Sequence, residues 1–138
     1  MQILSKSEVF HAKRACLVIE DNKFDQKRIS HTLDHPGQKM EAYFSNTLQE
    51  AREMLEKYEF HMILLNNNLP DGMGADFALE LANDPKHRRK PVVLFSDWPS
   101  PFMWDKARQA GVCFILPKAE FHLDHVQQAM DQAKRRLH

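Results

Sequence analysis

MILLNNNLPDGMG, residues 62–74, is the stretch whose reading decides the fold. Met62-Ile63-Leu64-Leu65 is a short continuous apolar run, the composition of a buried strand. The run breaks into the polar triplet Asn66-Asn67-Asn68 and then into Leu69-Pro70-Asp71-Gly72-Met73-Gly74, a turn rich in Pro and Gly. A strand that runs out into a polar loop is where an open α/β sheet keeps its chemistry. This one ends in three amides and no carboxylate. An amide accepts hydrogen bonds and coordinates metals weakly, but it is a very poor nucleophile and neither an acid nor a base near neutral pH.

Outward from this stretch, apolar runs alternate with helical patterns. Ala15-Cys16-Leu17-Val18-Ile19 predicts a strand, stopped by Glu20-Asp21-Asn22. Residues 23–34 carry Phe24, Ile29 and Leu33 at roughly helical spacing and end at Pro36-Gly37. Residues 39–45 alternate like an edge strand, with Met40, Ala42 and Phe44 on one face. Thr47-Leu48-Gln49-Glu50 has the form of a capping box, and Leu48, Ala51, Met54 and Leu55 make one helix face behind it. After the strand at 62–66, residues 75–83 predict a short helix through Phe77, Ala78, Leu81 and Ala82. Strands follow at 91–95 and 113–116, with a helix over 102–110 between them closed by Gly111. A last helix runs from about 120 to 136, with Phe121, Leu123, Val126, Ala129 and Met130 inward. A βα unit repeated five times predicts an α/β fold, a flavodoxin-like (βα)5 doubly wound parallel five-stranded sheet of order 2-1-3-4-5.

The bulk numbers narrow the function classes. At 138 residues and 43% hydrophobic, the chain reads as one domain with a single core, about 15–136. Lys plus Arg equals Asp plus Glu at 19 each, so nothing draws the whole chain toward nucleic acid or an anionic membrane. No apolar run approaches the roughly 18–20 residues of a membrane span. MQILSKSEVFHAKR at the start lacks the apolar stretch of a signal peptide, and the expected location is cytoplasmic. Cys16 and Cys113 sit among apolar neighbours, as small hydrophobes of a reduced chain do. His31 and His35, and His122 and His125, have metal-ligand spacing but no evident third ligand. Lys86-His87-Arg88-Arg89-Lys90 reads as a solvated loop, and Lys134-Arg135-Arg136 as cations meeting a helix C-terminus.

The predicted topology brings the strand ends together. The first strand delivers Glu20 and Asp21, the third Asn66 and Asn68, the fourth Ser96 and Asp97, the fifth Pro117-Lys118. Acids with backbone and amide oxygens suit Mg²⁺. A lysine and a hydroxyl opposite them suit the oxygens of a phosphoryl group. A carboxylate at position 66 would complete such a pocket and would be the nucleophile, forming an acyl phosphate.

The motifs LVIEDN (17–22), LLNNNLPDGMG (64–74), VVLFSD (92–97) and FILPK (114–118), in this order and spacing, resemble the receiver domains of two-component response regulators. The resemblance covers nearly the whole chain, and residues 1–138 read as a single receiver-like domain. It implies a phosphorelay signalling role and no enzyme activity. Asp21, with Glu20 beside it, would serve the metal, and Asn68 would offer it a backbone carbonyl. Ser96 would be the switch hydroxyl and Lys118 the lysine that pairs with the phosphoryl group. The phosphoacceptor position falls on Asn66, so any Mg²⁺ site, drawn from Glu20, Asp21, Asn66 and Asn68, is expected to be weakened. Partners would be proteins: a sensor histidine kinase, a phosphotransfer protein or a downstream effector, with a homodimer left open.

The chain departs from the family in four places. Asn66 removes the nucleophile; Asp97 follows the switch hydroxyl where the family has a small residue; Ile115 holds the place of the switch aromatic; and Pro117 precedes Lys118, with Ala119 after it. The chain is therefore expected to be a degenerate receiver acting through protein contacts. The alternative is a phosphorylatable regulator whose aspartate was changed to Asn66, and the other three departures favour natural divergence. A flavodoxin-like small-ligand protein would want a Ser/Thr/Gly-rich loop where Glu20-Asp21 stands. A dehalogenase-like phosphohydrolase would want a nucleophilic DxD there, which Glu20-Asp21-Asn22 does not supply.

Two further expectations follow. A third carboxylate beside Glu20 and Asp21 would be repelled, so Asn66 should raise metal-free stability while lowering metal affinity. Trp98, Phe102 and Trp104, crowded into Trp98-Pro99-Ser100-Pro101-Phe102-Met103-Trp104, either cover the core edge or form a partner surface, and packing is favoured.

Overall fold

A computed structural model of the protein describes residues 14–37 and 40–136. Five parallel strands form one sheet: β1 (Arg14–Ile19), β2 (Met40–Ser45), β3 (Met62–Asn66), β4 (Val92–Phe95) and β5 (Phe114–Leu116). Their order is β2-β1-β3-β4-β5, as the βα alternation predicts. The helices are α1 (Lys23–Leu33), α2 (Leu48–Lys57), α3 (Gly74–Ala82), α4 (Pro101–Ala110) and α5 (Leu123–Arg136). The opening segment, read above as lacking a leader, lies outside the described residues, as does Lys39 ahead of β2. No helix among the described residues is long and apolar enough to cross a membrane.

Strand alternation builds two cores, one on each face of the sheet. Leu17, Ile19, Ile63, Leu65 and Leu94 point to the face covered by α2, α3 and α4, where they meet Leu48, Leu55, Phe77, Leu81 and Met103. Cys16, Val18, Leu64, Val93 and Phe95 point to the other, covered by α1 and α5 through Ile29, Leu33, Val126 and Ala129, with Phe121 just ahead of α5. A central strand buried on both faces has no polar side to show, which is why 62–65 reads as an unbroken apolar run. Complete burial also pushes the Cys16 thiol pKa up, consistent with its place as a core residue. Cys113, expected to be buried too, is only half-buried ahead of the edge strand β5.

The end of β3 passes into α3 through a close backbone approach. Gly74 donates its N–H to the Asn67 carbonyl at 2.8 Å. A Cβ on Gly74 would lie 2.4 Å from the Asn66 carbonyl oxygen, so only glycine lets the helix start this near the strand end. Between them, Asn68–Leu69 and Gly72–Met73 pair as a two-residue antiparallel hairpin within the segment read above as a turn.

Two apolar assignments are corrected. Phe24 does not join Ile29 and Leu33 but is 68% exposed. At about 100° per residue it lies about 180° around the helix from Leu33, and Arg28 sits over its ring at 5.7 Å. Trp98, Phe102 and Trp104, expected to favour packing, are 92%, 79% and 44% exposed. α4 buries Met103 and Ala107, one turn apart, which leaves Phe102 on the flank. The last helix starts later than expected, because Lys118–Glu120 forms a separate 3₁₀ turn.

Candidate functional site

The strand ends converge as predicted. Glu20, Asp21, Asn66, Asn68, Ser96, Asp97, Trp98 and Lys118 line one open cleft of about 560 Å³ at the C-terminal edge of the sheet. Glu20, only 1% exposed, is the hub. One carboxylate oxygen, Oε1, accepts from Lys118 Nζ. The other, Oε2, accepts from Asn66 Nδ2 at 2.9 Å and from the Asp21 backbone N–H at 3.0 Å. Burial raises the Glu20 pKa, opposed by the hydrogen bond and charge of Lys118. Burial alone would lower the Lys118 pKa, but hydrogen bonds to Asp25 and Glu20 outweigh it and raise it.

The three asparagines of the opening stretch each have a task, two through their side chains and one through its backbone. Asn66 Nδ2 donates both to Glu20 Oε2 and, at 2.8 Å, to the Asn68 carbonyl. Both partners are acceptors, so the orientation of the amide is fixed by the network. Asn67 Oδ1 accepts from Ala75 N–H at 3.0 Å and caps the start of α3. Asn68 supplies the carbonyl that holds Asn66 in place.

Two of the oxygens assigned to Mg²⁺, Glu20 Oε2 and the Asn68 carbonyl, are thus already met by amide protons of Asn66. Lys118 holds the remaining Glu20 oxygen. A divalent ion using those oxygens would have to displace these bonds, while the Asn66 Oδ1 and the Asp21 carboxylate remain in the cleft without a partner among the described residues. Among the described residues, no three His, Cys, Asp or Glu side chains form a metal-holding group. The paired histidines serve local backbone bonds: His35 Nδ1 accepts from Gly37 N–H at 3.2 Å, and His125 Nδ1 from His122 N–H at 3.0 Å.

Other expected residues stand apart from this network. The Asp21 side chain is exposed at the cleft. Ser96 lines the cleft at 8% exposure, and its hydroxyl has no hydrogen-bond partner among the described residues. Trp98 forms part of the rim, whereas Phe102 and Trp104 lie outside the lining. Within the basic run, Lys86 pairs with Glu56 at 3.8 Å and Lys90 with Glu59 at 3.2 Å.

Asp25 is the residue that sequence reasoning missed. Its Oδ2 lies 2.7 Å from Lys118 Nζ, making a two-carboxylate clamp with Glu20. The signal was present: Asn22 caps α1, its Oδ1 accepting from Asp25 N–H at 3.0 Å. An Asn followed by Asp three residues later places that acid in the first helical turn, beside the end of β1. Gln26 was also missed; its Nε2 donates to the Glu20 carbonyl at 2.6 Å and to Asn46 Oδ1 at 3.0 Å. Asp71 acts at a distance in sequence. Its carboxylate accepts from Leu48 and Gln49 N–H at 2.8 and 3.0 Å, joining Thr47 in capping α2. Those two bonds hold its pKa below the usual carboxylate value.

Comparison with known proteins gives the same frame. The family model described as the response regulator receiver domain matches residues 16–131, and the chain belongs to that family. The response regulator protein PilR of Pseudomonas aeruginosa is 25% identical over 107 residues, covering 78% of this chain. The chain spans only 23% of the length of that relative. Among solved structures, a CheY-like receiver domain protein from Methanospirillum hungatei superposes with a TM-score of 0.78 at 16% identity, over 91% of this chain and 99% of that one. The Mn²⁺-bound form of response regulator Rcp1 superposes with a TM-score of 0.70 at 21% identity, over 86% of this chain and 90% of that one. These likenesses establish the fold and a place among the receiver domains of two-component signalling.

Proposed function

We propose that this receiver domain does not take a phosphoryl group on residue 66 and signals by protein–protein contact, with a sensor kinase, a phosphotransfer protein or a downstream effector. In this reading Asn66 stands at the family's phosphoacceptor position, Ser96 at that of the switch hydroxyl and Lys118 at that of the phosphoryl-pairing lysine. The observation that carries it is the double hydrogen bond of Asn66 Nδ2 to Glu20 Oε2 and the Asn68 carbonyl. An amide in that position offers no nucleophile. It also holds internally two oxygens that a metal would need, so Mg²⁺ affinity is weakened. Asp97, Ile115 and the Pro117-Lys118-Ala119 order speak for natural divergence over a single deliberate change. A cytoplasmic location goes with this role.

The test is intact mass after incubation with acetyl phosphate and Mg²⁺, on this chain and on Asn66→Asp side by side. The chain as it stands should gain no phosphoryl mass, and a gain overturns the proposal. A gain in the variant alone would show that position 66 by itself silences the pocket. No gain in either would place part of the silencing in Asp97 and the altered β5 end.

A further inference from the structure

The charge around the cleft is lopsided. Four carboxylates, those of Glu20, Asp21, Asp25 and Asp97, share it with one ammonium, that of Lys118. Lys118 is engaged by Glu20 and Asp25. Among the described residues, Asp21 and Asp97 have no cationic side chain within 4.0 Å. Ser96 is the second, independent observation: it is 8% exposed, it lines the cleft, and its hydroxyl has no partner among the described residues. Trp98, 92% exposed, lines the same cleft and offers an indole face.

An anion is the wrong guest for such a lining, because unpaired carboxylates repel it. A small hard cation is poorly matched as well, since amide protons of Asn66 already fill the slot between Glu20 Oε2 and the Asn68 carbonyl. What stays open includes two carboxylates, one hydroxyl and one aromatic face, with the Asn66 Oδ1 and the exposed Asn68 side chain beside them. That set suits a planar, donor-rich organic cation: a guanidinium presents five N–H donors in a rigid fork, pairs with carboxylates and stacks on indole. We propose that the cleft receives an arginine side chain presented by a partner protein, its N–H donors going to Asp21, Asp97 and Ser96 Oγ, and its plane meeting Trp98. Met73, 44% exposed and part of the same lining, favours an apolar neighbour beside that arginine. The inference rests on the reading of the cleft as closed to a phosphoryl group.

The experiment uses the full ¹⁵N-labelled chain and the probe acetyl-Leu-Arg-Leu-amide, followed by backbone amide shifts and tryptophan fluorescence. So small a probe should bind with a dissociation constant of order 1 mM. Saturable shifts are expected at Asp21, Ser96, Asp97 and Trp98. The same peptide with citrulline, which keeps the shape without the charge, should bind at least about tenfold more weakly. Asp97→Asn and Trp98→Ala, both at exposed positions, should each weaken binding severalfold with the rest of the spectrum unchanged. Equal affinity for the citrulline peptide, shifts centred elsewhere, or no effect of Asp97→Asn overturns the inference. So does Mg²⁺ or inorganic phosphate moving the same four amides at lower concentration than the arginine peptide. The acetyl phosphate assay above decides the closed-cleft reading separately, so a chain that fails both to gain phosphate and to prefer arginine loses only this inference.

Discussion

Asn66→Asp should destabilise the metal-free protein. In the parent, Asn66 is 8% exposed and its Nδ2 makes two hydrogen bonds, to Glu20 Oε2 at 2.9 Å and to the Asn68 carbonyl at 2.8 Å. A carboxylate has no proton to give, so both bonds become contacts between acceptors. Losing a bond to a charged acceptor costs about 1.5–3 kcal/mol, and losing one to a carbonyl about 1 kcal/mol. Repulsion between the two carboxylates adds to this, but protonation limits it, since one shared proton restores a single O–H···O bond. The net cost at neutral pH is then about 2–4 kcal/mol. For a chain of this size, roughly 3–5 °C of Tm goes with each kcal/mol, so the variant should melt on the order of 10 °C lower in EDTA. The sign with pH follows from the raised folded pKa of the carboxyl pair, Glu20 being raised by burial already in the parent. A group whose pKa rises on folding favours the folded state at low pH and loses that advantage as pH climbs through its folded value. The Tm deficit should therefore be small near about pH 4, close to the ordinary carboxyl values, and grow toward neutrality. Mg²⁺ should recover more stability in the variant than in the parent, because the new carboxylate accepts where the amide donates. Scanning calorimetry of both proteins at the two pH values, with EDTA and then with Mg²⁺, measures all of this. An equal or higher Tm for the variant in EDTA at neutral pH would refute the argument, and a deficit as large at pH 4 would refute its electrostatic part.

Two other outcomes are expected. Lys118→Met leaves the buried Glu20 carboxylate without its ammonium and should cost about 3 kcal/mol in denaturant melts. Because Asp25 and Glu20 raise the Lys118 pKa against the opposing effect of burial, its contribution should hold below the ordinary value of 10.5 and fade as pH rises through the folded value, so parent and variant should converge in strong alkali. Gly74→Ala places a Cβ 2.4 Å from the Asn66 carbonyl oxygen. It should cost about 3 kcal/mol by chemical denaturation and shift the Asn66 and Asn67 amide resonances, whereas a stability within about 0.5 kcal/mol of the parent would mean that the strand-to-helix passage relaxes freely.

The parts of this molecule legible in sequence are those fixed by periodicity. The runs at 15–19, 62–65 and 92–95 are apolar without a break because both faces of those strands are covered, and the five βα repeats leave few topologies. The gathering of Glu20, Asp21, Asn66, Ser96 and Lys118 follows from that topology alone. What the pattern does not carry is which way a side chain turns once it arrives. Glu20 and Asp21 are adjacent carboxylates just past the end of β1, yet one is sealed into an ion pair and the other faces solvent, a difference that composition does not carry. Phe24 passes for a core residue only when spacing is judged loosely; its angle around α1 puts it outside, although its neighbour Asp25 reaches the site.

The same distinction explains the amides. Composition says only that position 66 carries an amide, which is a very poor nucleophile. The structure adds that the Asn66 Nδ2 is a donor placed between two acceptors, where it bonds to both. A vestigial site would be expected to leave Glu20 as a buried carboxylate short of partners, which is costly. Here Lys118, Asn66 and the Asp21 N–H all serve it, and Asp25 holds Lys118 from the far side. Such a network is rigid because removing any member leaves another unsatisfied. The cleft above it is thus a preorganised surface, with unpaired chemistry at Asp21, Ser96, Asp97 and Trp98 at the mouth, and a partner that contacts those four need not move the floor at all.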